Sequence, residues 1–353
     1  MRVLKSTLFV WLCLSLTGCG VSMSDRLQDK PYHHIDGGFR NPPNSPEHGS
    51  SLAVRLSFFS KMIWRNITGY RDNVPPDFAL AGEDVQSQLA TAGENSVTWI
   101  GHATFLIKLG DVKVLTDPIF SKRASPVSFA GPSRIVRPAI ELDDLIDIDA
   151  IIISHSHYDH LDLDSLANLP NPERVTLIVP LGLGVYAKDM GFKAIVELDW
   201  YERTQVKGVE VAAYPAIHWS SRSGFDKDKT LWMSYAMNGN GATIYHTGDT
   251  ETHPTVFKDI GADIAKNYGK CDLGLMSVGA YNPRPMMRGA HMDPEGGVQV
   301  GLDVGCTAMV PMHWGTFMLS FEPFLEPMER FKLAAGNKAR IMRIGETFTV
   351  EAK

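Results

Sequence analysis

The chain has no surplus of positive charge: 34 Lys and Arg stand against 40 Asp and Glu in 353 residues, a formal net charge of −6. Without a basic stripe, a nucleic acid is not the expected partner and a nuclease is disfavoured. Internal repeats are absent. The apolar run LFVWLCLSL near the N-terminus is too short to span a bilayer as a mature helix. Cysteine is scarce, with four in the chain. Apolar material is plentiful at 44%, enough to fill the core of one large domain or two small ones.

Arg2 and Lys5 precede the apolar run, the layout of an export signal. The string LTGC that follows, Leu16 to Cys19, resembles the bacterial lipobox, in which the cysteine is diacylated and becomes the mature N-terminus. An ordinary secretory signal with a stray cysteine is the competing reading. The resemblance implies a signal peptide over residues 1–18, lipidation at Cys19 and an exported, membrane-anchored lipoprotein. Gly20 in place of an aspartate after Cys19 implies the periplasmic face of the outer membrane if the cell is Gram-negative. Losing Arg2 and Lys5, with no acid in residues 1–18, makes the mature chain more acidic by two charges. Cys13 leaves with the signal, so only Cys271 and Cys306 remain for redox roles. An exported protein can pair them, but each opens an apolar strand-like run, and two buried thiols are the expectation.

Residues 19–50 are rich in Pro, Gly, Asn and His without periodicity and read as a tether from the lipid to the fold. Over 51–95 a helical extension is expected. In Leu52–Arg65 the residues Leu52, Leu56, Phe59 and Ile63 share one face, with Arg55, Lys61 and Arg65 between them. Such a helix suits a membrane surface, while Phe58 and Trp64 off the stripe equally suit packing on the catalytic domain. From 96 to 353 the pattern is that of one catalytic domain. SVTWIGHATFLIKLGDVKVLTDPIF alternates around a Gly110-Asp111 turn, a β-hairpin. Strands are then expected in IDAIIIS, VTLIVP, VEVAAYPA, LWMSYAM, ATIYHTGD, LGLMSVGA and TAMVPMHWG. A helix start falls at Asp162. Two further helices lie in HPTVFKDIGADIAKNYG and after Asp293, which acts as N-cap before Pro294. Meandering strands followed by strands with intervening helices suggest two packed sheets with helices outside, an α/β class.

The densest chemical signal is IIISHSHYDHLD, Ile151 to Asp162, where a buried strand runs into His155, His157, Asp159 and His160. Closely spaced polar groups at the end of an apolar strand are costly unless a cation joins them, and neutral imidazoles with a carboxylate suit zinc or a similar divalent ion. Four ligands from one loop cannot all serve one tetrahedral centre and leave it open, which points to two metals. Further ligand types stand at the ends of other apolar strands: His218, Asp249 and His313. Taken singly, each also reads as an ordinary satisfied polar residue.

This constellation resembles the metallo-β-lactamase superfamily, whose fold is an αββα sandwich with a dinuclear site at the sheet edges. The resemblance implies His155, His157 and His218 on one metal, Asp159, His160 and His313 on the second, Asp249 bridging, and Asp117 supporting the metal loop. The runs GHATFLI, LTDPIFSKRASPVSFAGPSR, SHSHYDHLD, HTGDT, GAYNPR, HMDPE and HWGTF resemble, more narrowly, the N-acyl-phosphatidylethanolamine-hydrolysing phospholipase D family, from about Val97 to Glu322. That likeness implies a substrate-side role for His291 near the phosphate, with a solvent-facing helix neighbour as the plain alternative. It also implies a place for His102 near the metals, against a structural hydrogen bond to backbone. Tyr158 and Trp314 are candidates to line the pocket, core packing being their other reading.

Two divalent ions acidify water and neutralise a phosphoryl oxygen, which suits phosphodiester hydrolysis, with Asp159 orienting the nucleophile or accepting its proton. The expected substrate is an N-acyl-phosphatidylethanolamine drawn from a membrane, giving phosphatidic acid and an N-acylethanolamine. The rivals are a lactonase or phosphodiesterase acting on a soluble molecule with the same metals, and a non-catalytic envelope lipoprotein. Zinc is the expected metal, though His and Asp also hold iron or manganese. The oligomeric state is not legible.

Overall fold

The computed structural model describes residues 30–68 and 74–351. The signal segment and Cys19 lie outside the described residues. Among those residues no helix is long and apolar enough to cross a membrane.

In chain order the strands are β1 (His34–Ile35), β2 (Gly38–Phe39), β3 (Asn95–Gly101), β4 (Thr104–Leu109), β5 (Val112–Thr116), β6 (Ala150–Ile152), β7 (Thr176–Pro180), β8 (Ala194–Leu198), β9 (Arg203–Val206), β10 (Val209–Pro215), β11 (Met233–Gly239), β12 (Ala242–His246), β13 (Cys271–Ser277), β14 (Cys306–Met312) and β15 (Thr347–Thr349). The α-helices are α1 (Leu52–Thr68), α2 (Gly82–Thr91), α3 (Leu163–Ala167), α4 (Val256–Tyr268), α5 (Arg284–Met287), α6 (Pro294–Val304) and α7 (Glu326–Ala335).

One sheet has the order β15-β3-β4-β5-β6-β7-β8 and the other β14-β13-β12-β11-β10-β9. Each mixes an antiparallel meander with a parallel run: β5 to β8 are parallel in the first, β12 to β14 in the second. Parallel neighbours need crossover connections, and these are where the helices fall. Side-chain alternation on β6 shows the layering. Ile152 joins the core between the sheets with Val97, Trp99 and Tyr235, while Ile151 packs outward with Val85 of α2 and Leu166 of α3. The other sheet is covered by α4, α6 and α7, and the whole is the expected αββα sandwich. The predicted hairpin is β4–β5, with Gly110 at φ 62° in its turn. Asp293 caps α6 by accepting from the Gly296 N–H at 3.0 Å. Asp162 sits at the N-cap position of α3 without capping it, because its carboxylate instead binds the N–H groups of Phe120 and Ser121.

Two expectations need correction. Cys271 and Cys306 are disulfide-bonded, not free: they open the neighbouring parallel strands β13 and β14 in register, with Cα atoms 4.4 Å apart. The described part of the supposed tether, residues 30–50, is folded onto the domain through β1, β2 and specific side-chain contacts. The expected helix α1 is present, with its apolar stripe and Trp64 turned away from the domain. Leu52, Leu56, Phe59, Ile63 and Trp64 are 55–72% exposed, while Phe58, off the stripe, is 7% exposed and meets Phe321 at 5.1 Å.

Candidate metal centre

All the ligand-type residues come from one edge of the sandwich. β6 runs through Ile153 and Ser154 into His155, His157, Asp159 and His160; β10 ends just before His218, β12 just before Asp249, and β14 directly before His313. Main-chain strain gathers here. His102, Asp117 and His313 adopt φ of 55°, 35° and 66°, a region non-glycine residues seldom enter and functional sites tolerate. Gly248, at φ 57°, precedes Asp249, and a Cβ there would stand 2.7 Å from the Met233 carbonyl oxygen. Only glycine fits that turn.

The side chains converge in overlapping groups: His155, His157 and His218; Asp159, His160, His313 and His102; and Asp249 with His155 and His160 on one side and His218 and His291 on the other. In the first group, His157 Nδ1 lies 2.8 Å from His155 Nε2 and 3.1 Å from His218 Nε2. A proton shared among three ring nitrogens satisfies one contact at a time; a cation satisfies all. In the second, His313 Nε2 is 3.1 Å from Asp159 Oδ2 and 3.0 Å from Asp249 Oδ2. His160 Nε2 lies 3.2 Å from Asp249 Oδ2 and 3.4 Å from Asp159 Oδ2, yet makes no hydrogen bond to either. A lone pair so aimed fits a metal bond better than a proton.

Electrostatics point the same way. Burial, reinforced by neighbouring imidazoles, pushes His155 well below its ordinary range and His157 to about 3. Burial also takes His218 to about 3. Burial alone would raise Asp159 and Asp249, but the histidines around them hold both well below the usual carboxylate range. Burial likewise opposes charge on His160 and His313, and it is outweighed: Asp249, Asp159 and Asp117 carry His160 well up, and Asp249 with Asp159 carries His313 to about 9. Two buried carboxylates thus recruit protons to the place a divalent cation fits. The residues present fit such ions.

A second layer fixes the ligands. Asp117 is fully buried. It accepts from the Ser154 N–H and hydroxyl, both at 2.7 Å, and from His160 Nδ1 at 2.8 Å, the supporting position expected of it. Ser277 Oγ holds Asp249 Oδ1 at 3.0 Å, and the Ala290 carbonyl accepts from His218 Nδ1 at 2.9 Å. His102 turns its ring to Asp159 at 3.0 Å, the place beside the ligand cluster and not a ring bond to backbone, while its main-chain N–H donates to Thr316 Oγ1. His291 does not face solvent. Its ring is 5.2 Å from that of His218 and its Nδ1, without a hydrogen-bond partner, is 3.6 Å from Asp249 Oδ2. Tyr158 is half-buried beside the metal loop, stacked at 4.1 Å under the Arg222 guanidinium. Trp314 takes the packing role, buried among Phe78, Trp99 and Phe324.

Sequence reasoning missed Arg222, whose Nη1 donates to the Ser156 and Leu161 carbonyls at 2.8 and 2.7 Å and clamps the metal loop. It missed Trp219 too, whose ring lies 4.3 Å from His157. Trp219 directly follows His218, the one signal that could have drawn attention to it.

Residues 112–314 match the model of the Beta-lactamase superfamily domain. The N-acyl-phosphatidylethanolamine-hydrolyzing phospholipase D 1 of Caenorhabditis elegans is 33% identical over 83% of this chain and 85% of its own length. The chain belongs to the metallo-β-lactamase superfamily, among the phospholipase D-like proteins of that kind. An uncharacterised protein of Mycobacterium tuberculosis is 41% identical over 69% of this chain; the match spans 65% of that relative's length. Among solved structures, a metallo hydrolase of the archaeon Ignicoccus hospitalis aligns at TM-score 0.53 and 22% identity over 73% of this chain and 99% of its own. The isothiocyanate hydrolase from Delia radicum gut bacteria aligns at 0.55 and 20%, over 73% and 100%. These structural likenesses show the fold. The chain has the metallo-β-lactamase fold, and its His and Asp clusters are suited to divalent ions.

Proposed function

We propose that the protein is a phosphodiesterase of the phospholipase D type, cleaving N-acyl-phosphatidylethanolamine-type lipids to phosphatidic acid and an N-acylethanolamine on two divalent ions, zinc being the expected metal. The observation that carries this reading is the convergence of seven ligand-type side chains on one edge, together with the likeness of the chain to the nematode phospholipase D over most of both lengths. When bound, two such ions supply Lewis acidity toward a phosphoryl oxygen and acidify water.

The chain's own residues do the rest. His155, His157 and His218 would hold one ion and Asp159, His160 and His313 the other, with Asp249 available to both. His102 Nε2 holds Asp159 Oδ2 at 3.0 Å. Asp159 therefore stays ionised and acts chiefly as an acceptor that orients the attacking water. His291, kept neutral by burial that takes it to about 3, offers Nδ1 to the phosphate region from the far side of Asp249. Its partner-free nitrogen is open to a hydrogen bond with a substrate oxygen.

A membrane location is supported by α1. Arg65 ties the helix to the Ser320 carbonyl, while the stripe of large exposed side chains with Arg55 and Lys61 alongside suits an anionic lipid surface. Lipidation of Cys19 would bring the helix there, on the periplasmic face of the outer membrane in a Gram-negative cell. Metal-loaded protein lacking residues 1–19 should convert N-acyl-phosphatidylethanolamine in a phospholipid panel read by mass spectrometry. Turnover of soluble lactones or phosphodiesters with none of phospholipid would replace this reading with a soluble-substrate hydrolase.

A further inference from the structure

We infer that the segment 31–48, upstream of the matched superfamily domain, is a working part of the metal centre, and that Asn41 is a positioning residue for His218. The inference rests on His218 being a metal ligand and is independent of the substrate.

His218 lies beyond the end of β10, where no strand neighbour satisfies its main chain, and it is fully buried. A buried peptide group without partners is costly. Both of its polar groups end on one side chain. The Asn41 Nδ2–H donates to the His218 carbonyl at 2.7 Å, and Asn41 Oδ1 accepts from the His218 N–H at 3.1 Å. The amide thereby imitates a missing strand. Asn41 is itself fixed, because Oδ1 also accepts from the Trp232 indole N–H at 3.0 Å. With the backbone held by Asn41 and the ring held at Nδ1 by the Ala290 carbonyl, His218 keeps Nε2 directed at His157. No other side chain among the described residues bonds both main-chain groups of a ligand in this way.

The segment is tied down on both sides of Asn41. Upstream, His33 Nε2 and His34 Nε2 each meet one oxygen of Asp199, at 2.6 and 2.7 Å, and the His33 ring stacks on Trp200 at 4.1 Å. Asp199 is 166 residues away from His33 in sequence, so the two histidines act as a clasp. Downstream, the Pro43 carbonyl accepts from His253 Nε2 at 3.0 Å. The His48 ring stacks on Trp219, which in turn packs against the ligand His157. At Glu47 the strap runs so close to the stretch before His291 that a Cβ on Gly289 would lie 2.5 Å from the Glu47 carbonyl oxygen. From clasp to Trp219, the strap touches the supports of two ligands and contributes none itself. Its function is to set the angle and affinity of the His218 site.

The test uses the mature chain loaded with Co²⁺, with ion affinities read by chelator competition, the site geometry by the visible d–d spectrum, and the fold by the melting midpoint of the ion-free form. Asn41→Ala should weaken one ion by about tenfold or more, the usual scale for loss of an outer support. It should alter that ion's spectrum and leave the other within about twofold. Asn95→Ala is the control for simple destabilisation, since Asn95 binds Gly110, Asn240 and their loop at the opposite end of the sheets; it should lower the melting midpoint and leave both affinities unchanged. His218→Ala should lose the same ion. If His218→Ala retains both ions, the ligand assignment fails. If it loses one while Asn41→Ala keeps both with an unaltered spectrum, or weakens both equally, the positioning role of Asn41 is overturned.

Discussion

Asp117 and His160 form the joint on which the metal loop turns: the carboxylate, fully buried, accepts from His160 Nδ1 at 2.8 Å and so directs Nε2 at Asp159 and Asp249. The same carboxylate takes the Ser154 N–H and hydroxyl, which fastens the end of β5 to the end of β6. Asn in its place keeps the size and loses the charge and one acceptor. Asp117→Asn should therefore lower metal affinity by about 10- to 100-fold, measured by chelator competition. Unchanged affinity would show that the loop is oriented by other contacts.

Ion uptake should release protons. In the ion-free chain His313 is carried to about 9, so below that pH a proton occupies a nitrogen the ion must bind. The sign follows: affinity rises as pH climbs toward 9. Titrating ion-free protein with Zn²⁺ in dilute buffer at pH 7 and again at pH 10 should give larger proton release at pH 7. Equal release at both would mean that His313 is not a ligand.

On the proposed reading His291 stands beside Asp249 and His218 and is not needed to hold an ion. His291→Ala should cut phospholipid turnover by at least about tenfold, about 1.4 kcal/mol of transition-state stabilisation, with metal content intact. Elemental analysis beside the rate assay distinguishes this from a ligand role, in which metal is lost as well.

The exposed stripe of α1 predicts binding to vesicles. Fully burying a leucine- or phenylalanine-sized side chain stabilises by about 1.5–3 kcal/mol. The double variant Leu56→Asp with Phe59→Asp should therefore weaken co-sedimentation with anionic vesicles by tenfold or more and leave the melting midpoint within a few degrees, because neither side chain packs on the domain. Undiminished vesicle binding would remove α1 from the membrane contact.

The seven ligand candidates were legible because their signal is local and chemical. Each stands just past an apolar strand, where a His or Asp has little structural reason to be. The αββα class was legible from the change from meander to helix-separated strands. What escaped depends on partners far along the chain. The strap has no periodicity because side-chain clasps hold it, Asn41 to His218 across 177 residues and His34 to Asp199 across 165, and Pro- and Gly-rich text reads the same whether loose or fastened. The disulfide depends on the register of β13 against β14, which composition does not carry. The stripe on α1 was correctly periodic, and its direction was decided by Phe58 and Arg65, which both meet Phe321. Trp314 follows a ligand in sequence, yet its ring enters the core because His313 takes φ 66° and the chain turns away.

The most direct test of the proposed chemistry is where water's oxygen goes. Turnover of an N-acyl-phosphatidylethanolamine in ¹⁸O-labelled water should place one label in the phosphate of phosphatidic acid and none in the released N-acylethanolamine, since the proposed attack is at phosphorus and two metals would serve both the attacking and leaving oxygens of an in-line displacement. Label found in a free fatty acid would place attack at a carbonyl carbon and contradict the phospholipase D reading, while leaving the metal centre standing.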